Sequence, residues 1–351
     1  MIRDRASRKV IKKSAWQQKK DLDAKRSFRP QVFSEFFINI LLGALVICIS
    51  FAILYPLLTL LPLAFTDIRE LGDPNSIWIP SVFGVNNFEF SVRYVMRNEA
   101  TNRGDIMILF YSILYALSIA IIQLFMSAMA GYALARTKFW GRNIVFFLVI
   151  FVFLVPRQSF LITQYLNFKH FDVFGLIKLF NGSTVDLINK PITLYLLAIF
   201  GFSVNQSLFI FILRQFFINM PKELEEAAII DGVGFYQTYF RIILPNAVPA
   251  LLTVGVLAFV WAYGDVYYTS YFHSSGPYLG KIIDMTFKNA ANRGHINLAA
   301  QTWFGSSRSS SLAYESLKQA SILIFIIPLL VVYFLVQRKI VENLDSIGIK
   351  G

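Results

Sequence analysis

Glu223, Glu225, Glu226 and Asp231 crowd into the short stretch 221–232, where Lys222 is the single base. Ala227 and Ala228 lie among these acids, Gly232 follows, and Leu244-Pro245 close the wider segment 221–245. No histidine, cysteine or serine accompanies the carboxylates, so the pattern suits recognition better than bond-breaking. Pro221 suits the first turn of a helix, where its missing N–H costs nothing. The glutamates put negative charge at that helix's positive end, and Gly232 is placed to stop it with a positive backbone angle. Leu224, Ala227 and Ala228 fall at i, i+3 and i+4 and make one small apolar face, which would let a partner's backbone come close. An amphipathic connector resting on lipid is the bland alternative. Such helices are rich in Lys and Arg, so an acidic one fits a protein partner better.

A second set of polar residues sits inside otherwise apolar runs: Gln158, Asn205, Trp261, Tyr263 and Asp265, with Gln123, Gln164 and Gln206 beside them. Aromatic faces with polar edges suit sugars, so these residues are candidates for a translocation path. Each taken singly also serves as a helix–helix hydrogen bond, and Asp265 stands where its run ends and water begins. Other chemistry is absent. The three histidines are scattered without metal-ligand spacing. The nearest approach to a phosphate loop, "GPYLGKI" at 276–282, has the wrong glycine spacing and Ile282 where Ser or Thr belongs. No Gly-x-Ser-x-Gly elbow occurs.

The elements that must position these residues are set by hydropathy. The chain is 56% hydrophobic and 15% charged, against about 25% charged for soluble domains. Segments 36–66, 106–135, 191–213, 242–264 and 319–337 carry no charge, and each covers the roughly 20 residues of a spanning helix. A sixth, 143–168, is interrupted by Arg157, which must face an interface or the protein interior. The expected fold class is therefore an all-α integral membrane protein with six transmembrane helices. Prolines 56, 62, 156, 249 and 328 in or near the spans read as kinks. Ser127, Gly131 and Ala135 form a small-residue stripe for packing within the chain or against another subunit. Cys48 stands alone, so disulfides play no part.

Charge orients the spans. Residues 1–33 hold eleven Lys or Arg against three Asp, which places a basic N-terminal tail in the cytoplasm. Six crossings return the C-terminal tail, 341–351, to the same side, and leave the loops 67–105 and 273–318 outside. The permease domain so defined covers 34–340, with 219–245 as its cytoplasmic segment and 273–318 as an enlarged outer loop. The Ser-rich 305–311 reads as a mobile connector. The net charge of +12 reads as topology and contact with membrane lipid; no nucleic-acid motif accompanies it.

The order Glu226-Ala227-Ala228, three residues, Gly232, nine residues, Ile242-x-Leu244-Pro245 resembles the EAA signature of ABC importer permeases at every position. "LRQFFINMPKELEEAAIIDG", "GYALAR" at 131–136 and the ending "NLDSIGIKG" are similar to the carbohydrate-uptake branch, the class of the smaller maltose-type permease. The resemblance runs from about residue 36 to the C-terminus. It implies the type I importer fold in a bacterial inner membrane, with 221–232 as a coupling helix docked on a separate ATPase. Glu223, Glu226, Ala227, Ala228, Asp231, Gly232, Leu244 and Pro245 carry that role. It further implies a second permease subunit in a heterodimer, two ATPase subunits that bind the ATP and Mg, and an extracytoplasmic solute-binding protein. No cofactor belongs to this chain, and the chain is not an enzyme. The stretch "WAYGD" at 261–265 departs from the Trp-Asn pair of many relatives, so no sugar contacts are carried over. Importers of non-sugar solutes and ion-driven carriers stay open as alternatives. The latter need no docking helix and usually show inverted repeats and mid-span acids.

Overall fold

The structure, a computed structural model, describes residues 35–67, 70, 80, 82–98, 103–304 and 311–348. The readings of the basic tail and of most of the Ser-rich stretch lie outside them. The chain divides into two compact units, Met1–Leu61 and Pro62–Gly351. The described part of the first is the apolar helix α1 (Glu35–Phe65), whose last residues belong to the second unit. Phe37, Leu41, Ile47 and Ile53 along it are exposed. A helix apolar all round takes lipid as its solvent.

In the second unit, α2 (Asn86–Phe90) runs into a π-turn and a hairpin of two-residue strands, β1 (Arg97–Asn98) and β2 (Arg103–Gly104). This hairpin is the one paired sheet among the described residues, and the helical class stands. There follow α3 (Met107–Arg136), α4 (Arg142–Leu154), α5 (Gln158–Lys169), α6 (Leu176–Asn181), α7 (Pro191–Ile199), α8 (Gln206–Asn219) and α9 (Glu223–Ile230). After α10 (Phe235–Thr238), a π-turn (Tyr239–Ile243) and α11 (Leu244–Asn246) lead into α12 (Val248–Tyr263). The last elements are α13 (Tyr267–Phe272), α14 (Leu279–Lys288), α15 (Ala290–Phe304) and α16 (Ser311–Gly348).

Not all six apolar segments form straight crossings. Among the described residues, α1, α3 and the 314–338 part of α16 are continuous and apolar enough to span; two bent pairs bring the number to five. The third segment is α4 and α5, meeting at 107°. Val155, before Pro156, is extended with ψ 131°, as the clash with a following proline ring demands. The fifth segment bends by 78° between α11 and α12. Pro249 sits in the first turn of α12, where its ring and missing N–H bar continuation from the preceding turn. The spanning helix thus starts at Val248, not at Ile242. The fourth segment is interrupted between α7 and α8, where Gly201 and Asn205 both take positive φ, 85° and 53°.

At the C-terminal end α16 runs unbroken to Gly348, into the residues read as the C-terminal tail. The segment 273–318, read above as an outer loop, is largely helical among its described residues, through α14, α15 and the start of α16. Lys281, buried in this region, donates to the carbonyls of Ser274 and Gly276.

The main core joins α3, α7, α8 and α12, with Ala116, Ala120, Ala128, Phe209, Leu213, Val254 and Ala258 at its centre. Small residues on α3 bring α8 close, as the stripe at Ser127, Gly131 and Ala135 anticipates for packing within the chain. A Cβ on Gly131 would stand 3.0 Å from the Arg214 nitrogen and 3.1 Å from the Leu213 Cβ. Overpacking of this kind costs about 1–3 kcal/mol. Gly131→Ala is therefore expected to lower the melting temperature of the detergent-solubilised protein, and Gly131→Leu to cut its membrane abundance severalfold. A melt unchanged by Gly131→Ala would mean that α3 and α8 have slack.

Candidate functional site

The acidic stretch forms α9, whose first turn holds Glu223, Glu225 and Glu226. It ends in a paired backbone motif: the Val233 N–H donates to the Ala228 carbonyl at 2.9 Å, and the Gly232 N–H to the Ile229 carbonyl at 3.0 Å. That pairing requires the left-handed conformation at the residue after the cap, and Gly232 supplies it with φ 74°.

The helix divides its residues between the chain's own core and its surface. Ala228 is buried, and Leu224 packs against the main core. Glu223, Glu226, Ala227, Ile230 and Asp231 are exposed, and the first four recur at i, i+3, i+4 and i+7 along one face. The expectation that both alanines face outward is corrected: Ala228 serves packing within the chain, and Ala227 with Ile230 forms the bare apolar strip. Phe235 and Tyr236, just beyond the helix, are exposed as well. Leu244 lies partly buried against the core, whereas Pro245 is exposed in α11. These two residues sit at the root of α12, away from the acidic face in sequence and joined to it through α10 and the π-turn.

What anchors α9 is a residue whose charge, at the sequence level, speaks only to topology. Arg136, the last residue of α3, donates from Nε to the Phe217 carbonyl at 2.9 Å and from a terminal nitrogen to the Met220 carbonyl. It also pairs with the Glu225 carboxylate at 3.4 Å, and both side chains are mostly covered. Phe217 belongs to the last turn of α8, whose carbonyls have no partner within the helix. One guanidinium thus ties the ends of α3 and α8 to the first turn of α9. Tyr132, one turn earlier, meets Tyr239 in a tilted contact with centroids 4.9 Å apart and also meets Phe217 and Phe235. Burial pushes the Tyr239 hydroxyl up to about 12, so this contact stays neutral. Beside α9 opens a groove of about 570 Å³ lined by Arg136, Lys138, Arg142, Arg214, Glu225 and Glu226.

The second candidate set separates into two groups. Gln158, Gln164 and Asn205 meet in a cavity of about 320 Å³ at the bend between α4 and α5, facing the break between α7 and α8. Gln206 also lines it, yet its side chain is spent on the break itself, donating to the Ala198 carbonyl at 2.7 Å and accepting from Ser203 N–H at 3.3 Å. Gln123, fully buried, donates to the Val204 carbonyl at 3.3 Å. These two amides satisfy backbone groups freed by the broken helix. Trp261, Tyr263 and Asp265 do not line the cavity. Trp261 stacks on Phe209 at 5.4 Å and Tyr263 on Phe325 at 4.6 Å. Asp265 is buried, which corrects the expectation that it meets water. Its carboxylate accepts the N–H groups of Tyr267 and Tyr268 at 3.1 and 3.2 Å and so caps α13.

No cluster of metal-ligating side chains occurs among the described residues.

The model of the family described as "Binding-protein-dependent transport system inner membrane component" matches residues 123–345, more than half of the chain. The chain belongs to this family. Members are transport components of the inner membrane that work with a binding protein and an ATPase. Similar proteins include the trehalose transport system permease protein SugB of Mycobacterium tuberculosis, 29% identical over 71% of this chain and 79% of that one. The arabinooligosaccharides permease AraQ of Halalkalibacterium halodurans is 26% identical over 86% and 93%. The alpha-glucoside permease AglG of Rhizobium meliloti is 26% identical over 68% of this chain and 55% of its own length. The fold is shared with a crystal structure of a bacterial ABC transporter involved in the import of the acidic polysaccharide alginate. That likeness has a TM-score of 0.61 at 19% identity and covers 87% of this chain and 97% of that one. The fold is thus the type I importer permease fold.

Proposed function

We propose that this chain is a permease subunit of an ATP-driven ABC importer for a sugar, oligosaccharide or glycan fragment, and that α9 is its coupling helix. The observation that carries the reading is the split character of α9. One side is rooted through Ala228 and the Arg136–Glu225 pair, and the other presents Glu223, Glu226, Ala227 and Ile230 bare. A helix that only rested on lipid would need no such anchor and would favour basic residues. The ATPase binds the ATP and Mg, and closure of two ATPase subunits pulls the docked helix. The Arg136 tie passes that pull to the ends of α3 and α8. Gly232 and Asp231 shape the helix end, while Leu244 and Pro245 join the segment to α12.

A second permease in a heterodimer, two ATPases and an extracytoplasmic binding protein complete the assembly. Both termini lie in the cytoplasm. The carbohydrate cargo is supported by the relatives, which are named for the transport of trehalose, arabinooligosaccharides and alpha-glucosides.

The test is a mild-detergent pull-down of the full chain from its native membrane, with mass spectrometry of what is retained. An ATPase, a second permease and a glycan-binding protein are expected. Recovery of the intact chain with no ATPase would sink the coupling role of α9, and a binding protein that holds only amino acids or polyamines would sink the cargo class.

A further inference from the structure

We infer that the cavity at the α4–α5 bend takes an anionic group, a carboxylate on the cargo, and that Arg157 is its specificity-determining residue. This deepens the importer reading and rests on it.

Arg157 lies between two apolar helices that together read as one membrane segment, and a charge there normally faces a partner or a watered path. Among the described residues its side chain makes no hydrogen bond or ion pair, the backbone carbonyl alone accepting from the Phe160 N–H; the ion pairs formed by Arg93, Arg136, Lys169, Lys288 and Lys318 leave it out. It is exposed, and it lines the cavity of about 320 Å³. Asp265 is near enough to feel its charge. That carboxylate, however, is buried and committed to the N–H groups of Tyr267 and Tyr268.

No Asp or Glu lines the cavity. Its walls include the first residues of two helices, α5 after Arg157 and α8 after Asn205, and neither helix has a side-chain cap. Helix N-termini carry partial positive charge, which remains here although the N–H groups of Ser159, Phe160, Gln206 and Leu208 are taken up in the turns themselves. One guanidinium and two such termini on a wall without acids make the cavity electropositive. Gln158, Gln164 and Asn205 add neutral donors and acceptors suited to hydroxyls, while Phe202 and Tyr268 add aromatic surface. A guanidinium binds a carboxylate through two parallel hydrogen bonds. A volume near the lower end of the roughly 300–1,000 Å³ range of ligand pockets suits one sugar residue at a time. The matching cargo is an oligosaccharide containing uronic acid.

The test uses the assembled transporter with its binding protein in proteoliposomes. The external pool is an equal mixture of oligogalacturonates and the same oligosaccharides after chemical reduction of their carboxyl groups. Mass spectrometry of the lumen after ATP addition gives the acidic-to-neutral ratio. The intact transporter is expected to favour the acidic form, and Arg157→Gln to lower that ratio about tenfold or more, a loss of about 1.4 kcal/mol. Arg157→Lys should keep part of it. Recovery of the Arg157→Gln complex at wild-type abundance and subunit stoichiometry serves as the control for folding and assembly. A ratio that Arg157→Gln leaves unaltered, or wild-type preference for the reduced form, overturns the inference while the importer reading stands. Loss of the second permease from the Arg157→Gln complex would also overturn it, because the arginine would then be serving the subunit interface. Import of no glycan at all by a complex that hydrolyses ATP would fail the cargo reading itself.

Discussion

Gly232→Val is expected to reduce uptake to below about a tenth of the wild-type rate, while the protein stays in the membrane at near-normal abundance. The reason is local. Gly232 holds φ 74°, and for an L-residue the left-handed region costs about 1–2 kcal/mol, more for a β-branched side chain. Valine would therefore unwind the end of α9 and lose the Val233-to-Ala228 and Gly232-to-Ile229 bonds. Among the described residues nothing lies within 4 Å of a Cβ at this position, so the fold itself has room for a side chain. Asn tolerates positive φ better than other non-glycine residues, and this makes Gly232→Asn the informative companion. If the backbone angle is what matters, Gly232→Asn should retain most uptake. Equal loss in both variants would instead assign the position to direct contact with the ATPase. Full uptake by Gly232→Val at normal abundance would remove α9 from the coupling path.

The limits of reading the sequence are seen at the same helix. Its start, its acidic first turn and its glycine stop are local properties, and the structure places α9 within the predicted 221–232. Which side of it faces inward is not local. Leu224, Ala227 and Ala228 share a face by spacing, yet the core takes Leu224 and Ala228 and leaves Ala227 bare. Pro156 signals a kink, but nothing local in the sequence gives its size of 107°. The break at 200–205 is harder still, because Gly201 and Asn205 sit in a run that reads as continuous helix by hydropathy. Once that break exists, Gln123 and Gln206 must serve its carbonyls, and two candidates for a solute path become structural. Arg157 stands out in the sequence as the one charge in its span, and only the cavity gives it neighbours. Arg136 reads as a positive-inside residue because its three partners come from α8 and α9, more than 80 positions away along the chain.

Replacing that arginine has the second large expected effect. Arg136→Met should abolish uptake per assembled complex and leave ATP hydrolysis poorly responsive to the loaded binding protein. The substitution strands the Phe217 and Met220 carbonyls and leaves the Glu225 carboxylate, largely covered, without its cation. Breaking a buried pair from one side typically costs about 3–5 kcal/mol. Glu225→Gln removes only the charge of one partner, and Arg136 keeps both carbonyls. Its cost should be nearer to about 1 kcal/mol, the scale of a single hydrogen bond, with uptake lowered a fewfold. Arg136→Lys falls between, since a single ammonium cannot reproduce the planar fork that reaches three acceptors. The order Met worst, Lys intermediate and Glu225→Gln mildest follows only if the guanidinium acts as a strut between α3, α8 and α9. Measured uptake and ATPase rates, each normalised to complex abundance, decide it. If Glu225→Gln is as damaging as Arg136→Met, the carboxylate and not the carbonyl clamp carries the force, and the groove beside α9 is where the two subunits would have to meet.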